Sequence, residues 1–158
     1  MESNLSPEDW GYVVDQVNLV EFSWIGVDRI NHVGYFSTFN RAYTPKRVLS
    51  SYEEYIAFAE LINNLPEISS SQLFINQKKG WYDDFHFHSR RGIFAFDYSD
   101  ASGVTEDFLY RYDLLTVPDN PIEIDWIVGI ERYMHMIPRF DLVFSDNVTF
   151  DEMIKAEQ

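Results

Sequence analysis

The sequence predicts an α+β fold: one domain with a mainly antiparallel sheet of about five to six strands and three to four helices packed on one face. The chain has 158 residues, a usual length for one domain, and no linker or repeat divides it. Apolar residues make up 46% of it, which is enough for one packed core. Strand-like and helix-like segments follow one another in irregular order, without regular βαβ alternation. We therefore treat residues 1–158 as a single domain.

The first part of the chain predicts a short helix and a β-hairpin. Ser6 can cap a helix that begins at Pro7, and the two acidic residues that follow suit the positive end of the helix dipole. Residues 19–27 and 33–39 are rich in β-formers, and the five residues between them form a connection. Both runs are apolar at adjacent positions, so we expect strands that are covered on both faces.

The next segment predicts an amphipathic helix with a defined start. Ser50 and Ser51 form overlapping capping boxes with Glu53 and Glu54. Apolar side chains then recur at a spacing of three to four residues until the Asn-Asn-Leu-Pro run at 63–66 ends the helix.

The middle of the chain predicts a short element and further strands. The short element falls at 72–76, and residues 81–88 and 92–98 alternate as two strands of a second hairpin. A further strand over 108–117 ends at a Pro-Asp-Asn-Pro turn.

The C-terminal part predicts a helix, a short strand and a terminal helix. Asp125 can cap the first helix, which Pro138 would end. Its buried stripe would consist of Trp126, Ile130, Met134 and Ile137. We expect the strand over 141–144 and the start of the terminal helix at Thr149.

Acidic residues dominate the charge of the chain. The 26 acidic and 12 basic residues give a net charge of −14, and residues 80–158 hold 16 of the acids but only 6 of the bases. Such a field repels phosphate backbones, so we expect no nucleic-acid partner. It attracts basic proteins, which are the partner class that we expect, although acidity also serves solubility alone.

The sequence favours a reducing, aqueous compartment. It has no cysteine, which excludes disulfides, thiol nucleophiles and Cys-ligated metal sites. The polar, acidic N-terminus does not resemble a signal peptide, and no apolar run has the length of a membrane span. We expect a cytoplasmic protein with no membrane partner.

Two histidines form the sharpest candidate for chemistry. On a strand, His86 and His88 would project from the same face and could bind a transition metal. Further ligands could come from Asp83, Asp84, His32 or His135. The simpler interpretation is an exposed sheet face that carries two histidines.

Motifs for catalysis are absent from the sequence. There is no Gly-x-Ser-x-Gly elbow, no Walker loop and no Gly-x-Gly-x-x-Gly run. Carboxylates are abundant, but no spacing among them indicates an acid–base pair. We therefore expect a binding protein rather than an enzyme, and we assign no catalytic residue and no cofactor.

Aromatic side chains are the natural anchors of a binding surface. There are 13 Phe, 10 Tyr and 4 Trp, more than a core of this size needs. The candidate binding residues combine rings with acids and are Trp81, Tyr82, Asp83, Asp84, Tyr110, Tyr112 and Asp113. The alternative is an aromatic pocket for a small ligand.

Two stretches resemble a family of small, uncharacterised bacterial proteins. One is the Trp-Ile-Gly-Val-Asp run at 24–28 with the strand at 33–38, and the other is 112–122 with the segments 126–137 and 140–144. Some proteins of this type are similar to immunity proteins encoded beside secreted toxins. The resemblance implies inhibition of a basic toxin by binding, and it assigns no catalytic residue.

Overall fold

The computed structural model describes residues 1–17, 19–74, 82–98 and 110–158. The helices are α1 (Pro7–Asp15), α2 (Tyr52–Asn63), α3 (Asp83–Ser89) and α4 (Phe150–Ala156). The strands are β1 (Ser23–Val27), β2 (Val33–Ser37), β3 (Ser71–Leu73), β4 (Phe94–Tyr98), β5 (Arg111–Pro118) and β6 (Val148–Thr149). Their order is β1-β2-β4-β5-β3, and β6 also pairs with β5. The β2–β4 pair is parallel and the others are antiparallel, which confirms the predicted α+β fold.

Local sequence signals place three of the helix starts. Ser6 accepts a hydrogen bond from the backbone of Asp9, and Ser51 accepts one from Glu54, so the second of the two predicted capping sites is the one used. Thr149 begins α4 with a complete capping box. These caps satisfy backbone N–H groups that the helix itself leaves without partners.

A pair of glycines lies at the centre of the β1–β2 hairpin. Gly26 is directly opposite Gly34. A Cβ on Gly26 would lie 2.8 Å from the Phe140 ring, and one on Gly34 would lie 2.7 Å from the Phe144 ring. Because neither residue has a side chain, two rings from the C-terminal part of the chain pack directly on the strand backbone.

Asp28 ties the hairpin turn to the same C-terminal part. Its side chain is buried, and its Oδ1 accepts hydrogen bonds from the backbone N–H groups of Ile30 at 3.0 Å and His32 at 2.8 Å. Its Oδ2 accepts the N–H of Phe144 at 3.0 Å. The Trp-x-Gly-x-Asp run is therefore structural, since its glycine admits a ring and its aspartate holds the turn.

The sheet is covered on both faces. On one face the ring of Tyr35 stacks on His88 of α3, with centroids 3.9 Å apart. On the other face Phe36 stacks between Trp24 and Phe96. Because successive strand residues point to opposite faces, α3 covers one side and the C-terminal part covers the other. The rings that the C-terminal part contributes are Phe140, Phe144 and Phe150.

The predicted strand over 81–88 is wrong, because residues 83–89 form α3. Phe85 and His88 are three residues apart, and both contact the ring of Tyr35. Ser89 forms a 2.7 Å hydrogen bond with Thr116 on β5. A helix brings these three side chains to one face, whereas a strand would point Phe85 and His88 to opposite faces. The partners of β4 are therefore β2 and β5.

The predicted helix over 125–137 is also wrong. The chain forms two 3-10 turns, Ile124–Trp126 and Ile130–Tyr133, and Gly129 between them has a left-handed φ of 87°. Trp126, which we expected in the buried stripe, is 64% exposed. Ile130 and Ile137 of the predicted stripe are buried as expected, and Ile124 and Ile127 are buried as well. Ile127 lies between the two 3-10 turns, so the segment does not form one continuous helix.

The segment that follows runs along the outer edge of β1. The N–H of Val27 donates to the carbonyl of Pro138, and the N–H of Phe140 donates to the carbonyl of Val27. A single bridge between Val27 and Arg139 results, and residues 141–144 do not form the strand that we predicted. The contact pairs the backbone groups of Val27, at the end of this edge strand.

Candidate functional site

Several candidate binding residues lie toward one end of the sheet, where β2 and β4 end and β5 begins. Asp84 lines a cavity together with Ser37, the last residue of β2. Tyr110 directly precedes β5 and is 68% exposed. Asp83 and Asp84 are exposed in the first turn of α3, and Trp81 lies outside the described residues.

Two of the candidate binding residues are not on the surface. Tyr112 is fully buried, donates to the carbonyl of Tyr43 at 2.7 Å and accepts from the indole of Trp24. Asp113 is 7% exposed and pairs with Arg111 at 2.6 Å. Both face neighbours within the fold because β5 is covered, so neither Tyr112 nor Asp113 presents its side chain on the surface.

Tyr82 has a different environment from its acidic neighbours. It precedes α3, is partly buried, and its hydroxyl has no hydrogen-bond partner within residues 1–17, 19–74, 82–98 and 110–158. It therefore adds little exposed ring to this end of the sheet.

His86 and His88 point in different directions, because two residues along a helix turn the side chain by about 200°. His86 Nδ1 forms a 2.7 Å hydrogen bond with Ser71 Oγ. His88 is 2% exposed, and its Nε2 lies 3.5 Å from the amino group of Met1. Burial, followed by the charges of Met1 and Arg91, holds the pKa of His88 well below its usual value.

The two candidate metal ligands from distant parts of the chain, His32 and His135, have other partners. His32 stacks on Phe94, and His135 pairs with Glu54 at 3.1 Å. Among the described residues, no group of three or more His, Asp or Glu side chains could hold a metal ion. His86 and His88 lie on a helix, so the strand geometry that the predicted metal site required is wrong.

Two highly exposed apolar side chains lie close together in residues 123–131, which we call the Trp126 loop. Trp126 is 64% exposed and Val128 is 90% exposed. The loop is held in place, because the N–H of Ile124 donates to the carbonyl of Asn31 at 2.9 Å and Ile127 is buried. Trp126 points outward because its isoleucine neighbours fill the core.

Acidic residues flank the exposed Trp126 along the chain. Glu123, Asp125 and Glu131 belong to the Trp126 loop, and of these Asp125 and Glu131 are exposed. An exposed tryptophan with acidic neighbours has the composition that we expected of a binding surface. The three-residue spacing of Ile124, Ile127 and Ile130 was the sequence signal that could have located the exposed Trp126.

A cavity of about 420 Å³ lies between residues 141–148 and α4. It is lined by mixed polar and aliphatic side chains, among them Asp146, Glu152 and Lys155. None of the described residues that line it is aromatic, so it does not match the aromatic pocket of the small-ligand alternative.

Comparisons with protein-family models, curated proteins and solved structures find no match for this chain. Within the described residues, no helix combines the length and apolar character needed to cross a membrane.

Proposed function

We propose that this chain is a non-enzymatic, acidic protein-binding domain, that its partner is a basic protein, and that Trp126 anchors the complex. The observation that carries the proposal is the exposure of Trp126 and Val128 on a loop that is tied to the hairpin turn. Large apolar side chains on a held loop are costly to leave in water, and a partner surface removes that cost.

The geometry of the loop suits an interface. Trp is the residue type most enriched among interface hot spots, because its ring buries a large area and has few rotamers to immobilise. The buried side chains of Ile124 and Ile127 fix the backbone on either side of Trp126. Little ordering entropy is therefore lost when a partner binds.

The charge of the chain supports a basic partner. Asp125 and Glu131 lie on the exposed side of the loop, within the half of the chain that carries most of the acidic excess. Such a field accelerates encounter with a basic surface and disfavours acidic competitors. An immunity-like role, in which the domain inhibits a basic toxin in the bacterial cytoplasm, is the specific form that the sequence resemblance supports.

The test is affinity capture with purified protein, at low and at high salt, from its own host and from the products of neighbouring genes. We expect a basic protein to bind the wild type and to be released by salt. Trp126→Ala should weaken the binding free energy by about 2 kcal/mol or more, measured by calorimetry with the purified partner.

Two matched variants decide whether the Trp126 loop is the interface. Ile154→Ala truncates a side chain that is 53% exposed on α4, and it should leave affinity unchanged. Tyr110→Ala removes an equally exposed ring from the other end of the sheet. If Tyr110→Ala abolishes binding while Trp126→Ala does not, the proposed interface is wrong.

A further inference from the structure

Two adjoining cavities lie where β1 begins and β2 ends. Their volumes are about 340 Å³ and about 160 Å³. Four residues line both cavities, and we call the space that they border the Tyr35 cleft: Glu2, Glu21, Tyr35 and Asp84. The larger volume alone is within the range typical of ligand pockets.

The Tyr35 cleft is separate from the Trp126 loop. The loop lies against the hairpin turn at Asn31, whereas the cleft borders Glu21 and Ser37 at the opposite end of the hairpin. Five-residue strands place these two ends about 17 Å apart. The inference below therefore does not rest on the proposed function.

Three carboxylates from different parts of the chain converge on the cleft. Glu2 is held in place, since its Oε2 accepts hydrogen bonds from Ser23 Oγ at 2.7 Å and the Tyr55 hydroxyl at 3.0 Å. Glu21 and Asp84 are exposed, and within the described part of the chain neither forms a hydrogen bond or an ion pair. Both carboxylates therefore keep their hydrogen-bonding capacity for a ligand, and the charge of Asp84 also acts on the Met1 amino group, whose pKa it raises against the larger effect of burial.

The base of the cleft is polar, and its lining includes the cationic amino group of Met1. Tyr35 is 5% exposed and His88, which lines the larger cavity, is 2% exposed. His88 Nδ1 has no hydrogen-bond partner among the residues that the structure describes. The amino group of Met1 donates to Asn63 Oδ1 at 2.9 Å, and burial lowers the pKa of that amine. No lysine or arginine is among the described residues that line either cavity.

Aromatic rings form the remaining walls. Phe22, Phe39 and Phe85 line the smaller cavity, and Phe87 lines the larger one. Phe39 is 43% exposed, which is unusual for a phenylalanine that packs only in a core. Ring faces next to carboxylates attract cations with an apolar stem, because the ring quadrupole and the formal charges act together.

We propose that the Tyr35 cleft binds an organic cation, with its guanidinium group between Glu21 and Asp84 and its alkyl stem against the phenylalanine rings. A guanidinium group offers five N–H donors in a planar fork and can bond carboxylates on two sides at once. A bare metal ion fits less well, because no described group of three potential ligands is close enough to share one.

The experiment is isothermal titration calorimetry with agmatine, which carries a guanidinium and an ammonium group, against N-carbamoylputrescine, in which an uncharged urea replaces the guanidinium. We expect saturable agmatine binding that is at least about tenfold tighter than binding of the urea analogue. The double variant Glu21→Gln/Asp84→Asn should lower agmatine affinity by at least about tenfold as well.

Both substitutions are on exposed side chains and should leave the fold intact, which far-UV circular dichroism checks. Asp151→Asn removes one exposed carboxylate from the first turn of α4 and controls for the general loss of negative charge. If Asp151→Asn weakens agmatine binding as much as the double variant does, the effect is long-range and the proposed site is wrong.

A second arm identifies the source of the cation. A Gly-Arg-Gly peptide with blocked ends presents the same guanidinium from a polypeptide. Equal binding of peptide and agmatine indicates a side chain of a partner protein, and binding of agmatine alone indicates a free small molecule. Absence of saturable binding of both probes at millimolar concentration, or equal affinity for agmatine and its urea analogue, would overturn the proposal.

Discussion

Burial changes the acid–base behaviour of His88. The imidazole is 2% exposed and stacks on the ring of Tyr35, whereas His135 lies at the surface beside Glu54. Desolvation is the largest cause of the lowered pKa of His88, and the nearby charges of Met1 and Arg91 act in the same direction. The folded protein therefore holds this ring neutral at pH values where the unfolded chain would protonate it.

This difference predicts acid destabilisation that originates at His88. The contribution is fully present above the unfolded pKa of about 6.5 and is lost as the pH falls from there toward the lower folded pKa, because only the unfolded state gains the proton. The free energy of unfolding should fall by up to about 1.4 kcal/mol per pH unit more in the wild type than in His88→Phe. Urea denaturation between neutral and mildly acidic pH measures this slope.

His88→Phe keeps a ring against Tyr35 but cannot titrate. Equal slopes for the wild type and His88→Phe would show that the ring is protonated in the folded state.

At the scale of elements, the glycine pair decides how the hairpin meets the C-terminal part of the chain. The Phe140 ring occupies the space that a side chain on Gly26 would need. Gly11 in α1 offers a contrast, because a Cβ there would meet nothing within 4 Å. Glycine is therefore required by the packing at position 26, whereas at position 11 it only costs conformational entropy in the helix.

The two glycines should respond to alanine with opposite signs. Gly26→Ala should destabilise the protein by about 1–3 kcal/mol, because Phe140 or Trp24 must move. Gly11→Ala should stabilise it by about 0.5–1 kcal/mol through helix propensity. Chemical denaturation of both variants checks the prediction, and destabilisation of similar size at both positions would contradict it.

At the scale of the molecule, N- and C-terminal parts share one core. Asp28 binds the backbone of Phe144, Val27 pairs with residues 138–140, and the ring of Phe36 contacts rings from both parts. The hairpin cannot lose these contacts without exposing the C-terminal rings as well. Cooperative loss of both parts follows from this arrangement.

We therefore expect one unfolding transition. Tryptophan fluorescence, to which buried Trp24 contributes, and far-UV circular dichroism should give the same urea midpoint. Two resolved midpoints would mean that the hairpin and the C-terminal part unfold separately.

Elements that depend on neighbouring residues were predictable from the sequence. The caps at Ser6, Ser51 and Thr149 are contacts within one turn of helix, and the β1–β2 hairpin depends on two runs of β-formers and the turn between them. The abundance of acidic residues and the absence of cysteine are composition, which folding does not change.

Contacts between distant parts of the chain decided the rest. The Phe-His-Phe-His run fits a strand by alternation, but Tyr35 and Thr116 select the helix α3 by offering it a surface. Trp126 is exposed because three isoleucines around it are buried against the core. The Tyr35 cleft joins residues from four separate places in the chain, and such convergence has no local signal in a sequence. Short-range hydrogen bonds depend on neighbouring residues, and composition depends on residue types alone, so both can be read from the sequence. Burial and convergence depend on which surfaces meet when the chain packs.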